Sequence, residues 1–461
     1  MLRRLTLPLA FVLASAGCPT EGDDDDSAVA ELPCDAYEEP CVFVDPTDPE
    51  ADLLDVVNSL ADNTTVLLGE GTFDLNNEVS INGVSGISLI GAGMEETVLD
   101  FSSMAVQGNG VFAVGDDFLI QDLTVTDSPK DGIRVEDSDG VTFRRVRATW
   151  GLGPASSNGA YGLYPVRVQN VIIEDSEALN ASDAGIYVGQ CTNALVRNNY
   201  AARNVAGIEI ENTQFADVYG NIAEDNTGGL VIFDLPGNPI VGHDVFVHDN
   251  IVRDNNRENF APGGTVAAIP AGTGTFAMAS RRVEIANNTY ENNNTVDIGL
   301  VSGLVIEEDP MTWALDPDAL VGDAGVLTYD EDEGSVFNFR LHDIYVHGNT
   351  HTNSGMAPDM SDIDVRFFGF LLGVLYGTNG VDHVIYDGIQ ESSFDPEVAA
   401  NVSNDNNICI GPEEGSMATM DAENLADLPT LADVFQPPSP FVPYDCSTML
   451  GGPIQLPDLG Q

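Results

Sequence analysis
The chain has 461 residues, 43% of them hydrophobic, which is enough to build a large core. Its 74 acidic residues against 16 Lys and Arg leave a formal net charge of −58, and such a surface repels nucleic acid and anionic lipid, setting aside direct binding to either. The six His are scattered and Cys-x-x-Cys is absent, so neither a zinc nor a haem site is indicated.

The N-terminus reads as an export signal: Arg3-Arg4 precede an apolar run from Leu5 to Ala16 that is too short to span a bilayer. Two processing sites compete. Ala14-Ser15-Ala16 fits ordinary signal cleavage. Ser15-Ala16-Gly17-Cys18 resembles a bacterial lipobox with Cys18 as the lipid attachment point, although Ser15 stands where Leu is commonest. The acidic stretch Glu21 to Ser27 cannot pack and suits a tether, which favours the lipoprotein. Residues 1–18 are therefore assigned to the signal peptide and 19–42 to an acidic tether and Cys loop. A membrane would be met through a lipid anchor only, at the outer membrane or cell surface, with the periplasmic side as an alternative. Export permits disulfides. Cys34 and Cys41 flank a short acidic loop, Cys409 and Cys446 can staple the C-terminal segment, and Cys191 is expected to be buried and free. Sequence alone leaves the connectivity open.

Asp52 to Leu60 has helical spacing and fits a short N-terminal helix capping the open end of a solenoid, where exposed strand edges need cover. Strand-like runs begin at Thr65, Gly71 and Ile87. Then a repeat takes over. Gly185-Ile-Tyr-Val-Gly-Gln190, Gly207-Ile-Glu-Ile-Glu-Asn212 and Gly229-Leu-Val-Ile-Phe-Asp234 start 22 residues apart, and Gly110 and Gly132 share that spacing. Gly162 joins once a loop around 151–159 is allowed for. Positions one and three after each Gly are apolar and face inward at a period of two, the mark of a β-solenoid. Asn recurs after the second strands (Asn199, Asn221, Asn250, Asn288) and again five residues later (Asn204, Asn226, Asn255, Asn293). Asn at equivalent turns predicts a ladder running from coil to coil, with Asn349 and Asn353 as its echo. The β-helix is assigned to residues 43–410, with an acidic excursion near 304–336. Phe367 to Tyr376 reads as solenoid core. Residues 411–461 read as a Pro-rich tail laid on the solenoid.

Leu67-Leu-Gly-Glu-Gly-Thr-Phe-Asp74 and Ile87-Ser-Leu-Ile-Gly-Ala-Gly-Met94 look like opening coils of the right-handed parallel β-helix superfamily typified by pectate lyases, which this chain resembles from about Val66 to Asp387. More narrowly, Ser182–Gln190, Val205–Asn212 and Gly228–Pro236 resemble a bacterial family of exported parallel β-helix repeat proteins, many of them lipoproteins. The resemblance implies an all-β fold and an exported location, and it carries no catalytic residues over. Neither the Asp-rich motif set of β-helix polygalacturonases nor the Asp-Pro-His motif of β-helix epimerases is found.

Chemistry is expected on outward positions of the aligned strands, because neighbouring coils lie ~4.8 Å apart. One column reads Arg134, Tyr164, Tyr187, Glu209, and the sixth residues of the blocks include Gln190, Asn212 and Asp234. Aromatic faces pack on sugar rings, while carboxylates and amides hold hydroxyls. Arg134, Tyr164, Tyr187, Gln190, Asn212 and Asp234 are the expected substrate-binding residues. Glu209, Glu211 and Asp183 are the catalytic candidates, since paired carboxyls serve glycoside hydrolysis and raise one another's pKa. The same oxygens can bind Ca²⁺. The expected partner is a polysaccharide, bound and cleaved or modified by a glycoside hydrolase or polysaccharide lyase reaction. The alternative is a non-catalytic scaffold that binds an envelope protein.

Overall fold
A computed structural model describes residues 34–38, 40–48, 52–238, 240–316, 331–332, 335–425, 429–446 and 454–458. The signal sequence, Cys18, most of the acidic tether and the middle of the acidic excursion lie outside the described residues. Each coil of the solenoid contributes strands to three parallel ladders. The first ladder runs from Val79–Asn82 through Ala184–Gly189, Ala206–Glu211 and Gly228–Phe233 to Met417–Met420. The second begins at Cys41–Val44, and its last pairing joins His342–His347 to Ile408–Ile410. The third begins at Gly71–Asp74, and its last pairing joins Thr289–Glu291 to Thr350–Thr352. Aligned glycine blocks stack in register, with Ile186 on Ile208 and Ile208 on Leu230. Their inward side chains form one continuous core along the axis.

The expected capping helix is α1 (Leu53–Val57). Asp52 accepts the Leu54 N–H at 2.9 Å, and Leu53 and Val57 insert into the core. At the other end, the Cys409–Cys446 disulfide ties the last chain segment back, Tyr444 accepts the Ile410 N–H at 2.8 Å, and Phe441 and Tyr444 are buried. Cys34 pairs with Cys41, and Cys191 is free and buried.

The Asn ladder is present, and its geometry refines the expectation. Asn221 Oδ1 accepts the Asn199 N–H at 2.9 Å, and the pattern continues through Asn250, Asn288 and Asn349. The second ladder joins Asn204, Asn226, Asn255 and Asn293, and then passes to Ser354. Left-handed φ belongs to the residue before each rung, as at Asn198 (57°) and Asn292 (57°), rather than to the rung itself. Asn353 (φ 56°) occupies this turn position, so the rung expected there falls one residue later.

Two further expectations are corrected. Phe367 to Tyr376 is not a strand of the solenoid core but α2 (Phe367–Tyr376), which packs on the outside of the first ladder. Its stretch is apolar on all sides, and such a helix lacks the polar face that reveals amphipathic helices. Gly369 and Gly373 permit the approach: a Cβ at Gly369 would stand 2.6 Å from Pro270 Cβ. Secondly, the outward face of the first ladder is not an open sheet. Tyr187, Val231, Phe233, Phe276 and Met278 form a second core there, sealed by Val266, Ile269, Trp313, Phe339 and α2. Each such side chain contributes about 1.5–3 kcal/mol on burial, so this cover is a major part of the fold.

Candidate functional site
The strand register builds the expected column: Arg134 pairs with Tyr164, Tyr187 with Glu209, and Glu209 with Val231. The column enters the second core at Tyr187, with Tyr164 packed against it, so the polar surface is confined to its upstream end. Tyr164 and Tyr187 pack edge-on with ring centroids 4.8 Å apart, and Tyr161 lies against both at 4.5 and 4.6 Å. Arg134 lies 4.9 Å over the Tyr164 ring and donates from Nε to Glu136 at 3.0 Å.

The expected catalytic carboxyls converge here, but they are not displayed on an exposed face. Glu209 is 1% and Glu211 6% exposed. The Tyr187 hydroxyl donates to Glu211 at 2.6 Å, and Asn238 Nδ2 donates to its other oxygen at 3.0 Å. Burial pushes Glu211 above its ordinary range, and these two donors oppose it. Glu209 Oε1 is buried without a hydrogen bond. Burial, then the neighbouring Asp183 and Glu211, hold Glu209 well above the usual carboxylate range. Asp183, from the turn before Ala184–Gly189, is half-buried with Oδ1 unpartnered. Burial pushes it up to about 7 against the nearby Tyr161 hydroxyl.

Three of the expected binding residues have structural work instead. Tyr187 is buried and fills the gap beside Gly189, where a Cβ would stand 2.2 Å from its ring. Asn212 is fully buried. It accepts the Leu235 N–H at 2.9 Å and donates to Ile240 O at 2.8 Å, pinning the 235–240 turn. Asp234 accepts the Gly242 N–H at 2.9 Å and sits 3.9 Å from the buried Arg281, with burial pushing it up to about 7. Gln190 lies at a turn (φ 54°), where its N–H donates to Glu211 O. Arg134 and Tyr164 remain half-buried at the rim.

Sequence reasoning missed Asp131, Tyr161 and Asn238. Asp131 is 1% exposed, and burial pushes it up to about 6 against Lys130, Arg134 and the Tyr161 backbone N–H. Asp131 and Tyr161 each stand immediately before a repeat glycine, and the glycine N–H bonds stack them: Gly110 N–H to Asp131 O, Gly132 N–H to Tyr161 O. Reading the column before the glycine, besides those after it, would have found both. Asn238 arrives from an excursion whose path the repeat does not encode.

A family model described as the right-handed beta helix region matches residues 77–246 and 155–308. Together these cover residues 77–308, half of the chain. The chain belongs to the right-handed β-helix family. No curated protein sequence matches it. Similar solved structures include the A-module of mannuronan C-5 epimerase AlgE4 of Azotobacter vinelandii (16% identity, 70% of this chain, 85% of that one, TM-score 0.38). Another is the tailspike of E. coli bacteriophage HK620 in complex with pentasaccharide (16% identity, 52% of this chain, 48% of that one, TM-score 0.37). A third is the catalytic unit of a GH87 α-1,3-glucanase from Streptomyces thermodiastaticus (17% identity, 58% of this chain, 57% of that one, TM-score 0.35). This β-helix chain thus spans about half the length of the last two. Among its described residues, no three His, Cys, Asp or Glu side chains stand where they could hold a metal ion together.

Proposed function
We propose that this chain is an exported, envelope-bound lipoprotein, anchored through Cys18 at the outer membrane or cell surface, that binds a polysaccharide at the rim formed by Arg134, Tyr161, Tyr164 and Asp183. The observation that carries this reading is the pairing of two half-buried tyrosine rings with the half-buried Asp183 carboxyl beside them. Rings of this kind pack on pyranose faces, and a carboxyl at the surface accepts sugar hydroxyls. Replacing Tyr161 and Tyr164 by Ala should weaken glycan binding at least about tenfold, the scale of one lost packing contact. A glycan array, run with and without Ca²⁺, tests it. No signal on neutral, acidic or amine-bearing glycans in either condition would overturn it. Loss of lipid labelling in Cys18→Ser tests the anchor.

Turnover is the second reading. Asp183, held up to about 7, suits a general acid at neutral pH. Hydrolysis also needs a second carboxylate within reach of the sugar or its water, and Glu209 and Glu211 are buried beneath the tyrosines. Release of reducing ends from a bound polysaccharide, lost in Asp183→Asn, would establish turnover. Binding without release would leave a non-catalytic binding module.

A further inference from the structure
The outer cover leaves a cleft open to solvent. It has a volume of about 730 Å³ and lies between residues 264–268, residues 305–308 and the start of α2 with the segment before it. That volume falls within the range of about 300–1,000 Å³ usual for ligand pockets. Ile363, Val365 and Phe367 line it while 49%, 43% and 49% exposed, and the half-buried Val305 and Ile306 join them. The apolar surface follows α2 beyond the cleft: Met360 packs on Gly373, Met356 lies by Gly380, and both are exposed. Grouped exposed apolar side chains with a polar border mark contact surfaces, and methionine adapts to varied partner side chains.

The border is acidic. Glu307, Glu308 and Asp364 line the cleft, and the last two are exposed. The neighbouring Arg366 is engaged elsewhere: its Nη1 donates to Ala267 O and its Nε to Ser361 Oγ, each at 3.1 Å. These signs choose among occupants. A second copy carries the same net charge of −58 and is repelled, as is an anionic lipid surface. Residues 19–33 and 317–330 hold acids and no Lys or Arg, so neither complements the cleft. A small organic cation would fill the cleft and leave Met356 and Met360 bare. We infer that the cleft and the adjoining face of α2 bind a segment of a partner protein in which bulky apolar side chains are flanked by Lys or Arg. The apolar side chains enter against Ile363, Val365 and Phe367, and the cations meet Glu307, Glu308 and Asp364. This inference does not depend on the carbohydrate reading.

The test is fluorescence anisotropy on the full chain at neutral pH and physiological salt, with three labelled peptides of equal length. The first mixes Leu, Phe and Lys; the second has Ser in place of Leu and Phe; the third has Glu in place of Lys. The first should bind at least about tenfold more tightly than either of the others, the worth of one apolar anchor or one charge pair. Ile363→Ser with Phe367→Ser should remove most of the preference over the Ser peptide. Glu308→Gln with Asp364→Asn should remove most of the preference over the Glu peptide. All four side chains are exposed, so folding is not at stake. If the Ser peptide binds as tightly as the first, the attraction is general charge and the inference falls. It falls also if the Glu peptide binds as well, if no peptide binds, or if the substitutions change nothing. Binding to anionic-lipid vesicles that Phe367→Ser abolishes would make this face a membrane contact and overturn it too. None of these outcomes bears on the rim around Tyr161 and Tyr164.

Discussion
The Tyr187 hydroxyl donates to the Glu211 carboxyl at 2.6 Å, reaching from one coil to the next through space that Gly189 leaves empty. Gly189 pairs with Glu211 in the ladder, so one glycine decides whether this buried acid keeps its tyrosine donor. A Cβ at position 189 would stand 2.2 Å from the Tyr187 ring and 2.5 Å from its hydroxyl, close enough to expel the side chain. Gly189→Ala should therefore cost about 2–4 kcal/mol, combining an overpacking strain with the loss of one of the buried acid's two donors. Tyr187→Phe, which keeps the ring, should cost about 1–3 kcal/mol. Urea denaturation of both variants checks the order; equal stability of Gly189→Ala and wild type would contradict it.

The Asn ladder makes a second prediction. Asn221 accepts from Asn199 N–H and Nδ2, donates to Val196 O, and donates to Asn250 Oδ1. Asn221→Ala leaves a buried N–H and a buried carbonyl without partners in the middle of the rod, at a cost of about 3 kcal/mol. Asn353→Ala, at an exposed turn position, should cost little beyond its left-handed φ, about 1 kcal/mol. The contrast is measurable by thermal melting, and it separates a rung from the turn residue that precedes one.

How much of this was legible in the sequence differs by residue. The 22-residue period placed Arg134, Tyr164, Tyr187 and Glu209 in one column, because parallel strands in register convert a repeat directly into neighbourhood. Period could not say that the outer face of that column is covered. The cover comes from α2 and from Val266, Ile269 and Trp313, which lie outside the repeat and arrive by excursions with no periodic signature. Outward-facing Val231 and Phe233 were the available hint, since apolar side chains on an outward face need a partner. For the same reason the burial of Glu209 was invisible: alternation gives the side of a strand, not what lies on it.

Phe368 tests whether the outer cover folds as part of the rod. It packs edge-on against Phe276, with centroids 5.6 Å apart, and is 4% exposed. Phe368→Ala should remove about 3–5 kcal/mol from the outer core. Because the inner core is a separate cluster, the loss should appear as early hydrogen exchange in α2 and around residues 265–269, ahead of the ladder strands. Uniform loss of protection along the whole rod would show instead that the two cores unfold together.

Stability should fall as pH rises across the mildly acidic to alkaline range, in two steps with different owners. His351 lies between Asp297 and Glu414, 2.9 Å from each, and stacks on His383 and Tyr290. Burial alone disfavours its imidazolium, but the hydrogen bonds and charges of the two carboxylates outweigh burial and lift it from 6.5 to about 9. A raised cation stabilises fully below its unfolded value, and that stabilisation, about 3 kcal/mol, is lost as pH climbs through the folded value of about 9. The lower step belongs to the buried acids: burial raises Asp183, Asp234 and Asp387 from 3.8 to about 7 and Asp131 to about 6, and it lifts Glu209 and Glu211 as well. In this window the unfolded chain releases protons that the folded chain keeps, so deprotonation favours unfolding between those values. His351→Gln should flatten the upper step and Asp183→Asn part of the lower one, while each leaves the other intact. Denaturation midpoints measured across the range check both; a wild-type midpoint that rises from pH 7 to pH 9 would remove the His351 assignment.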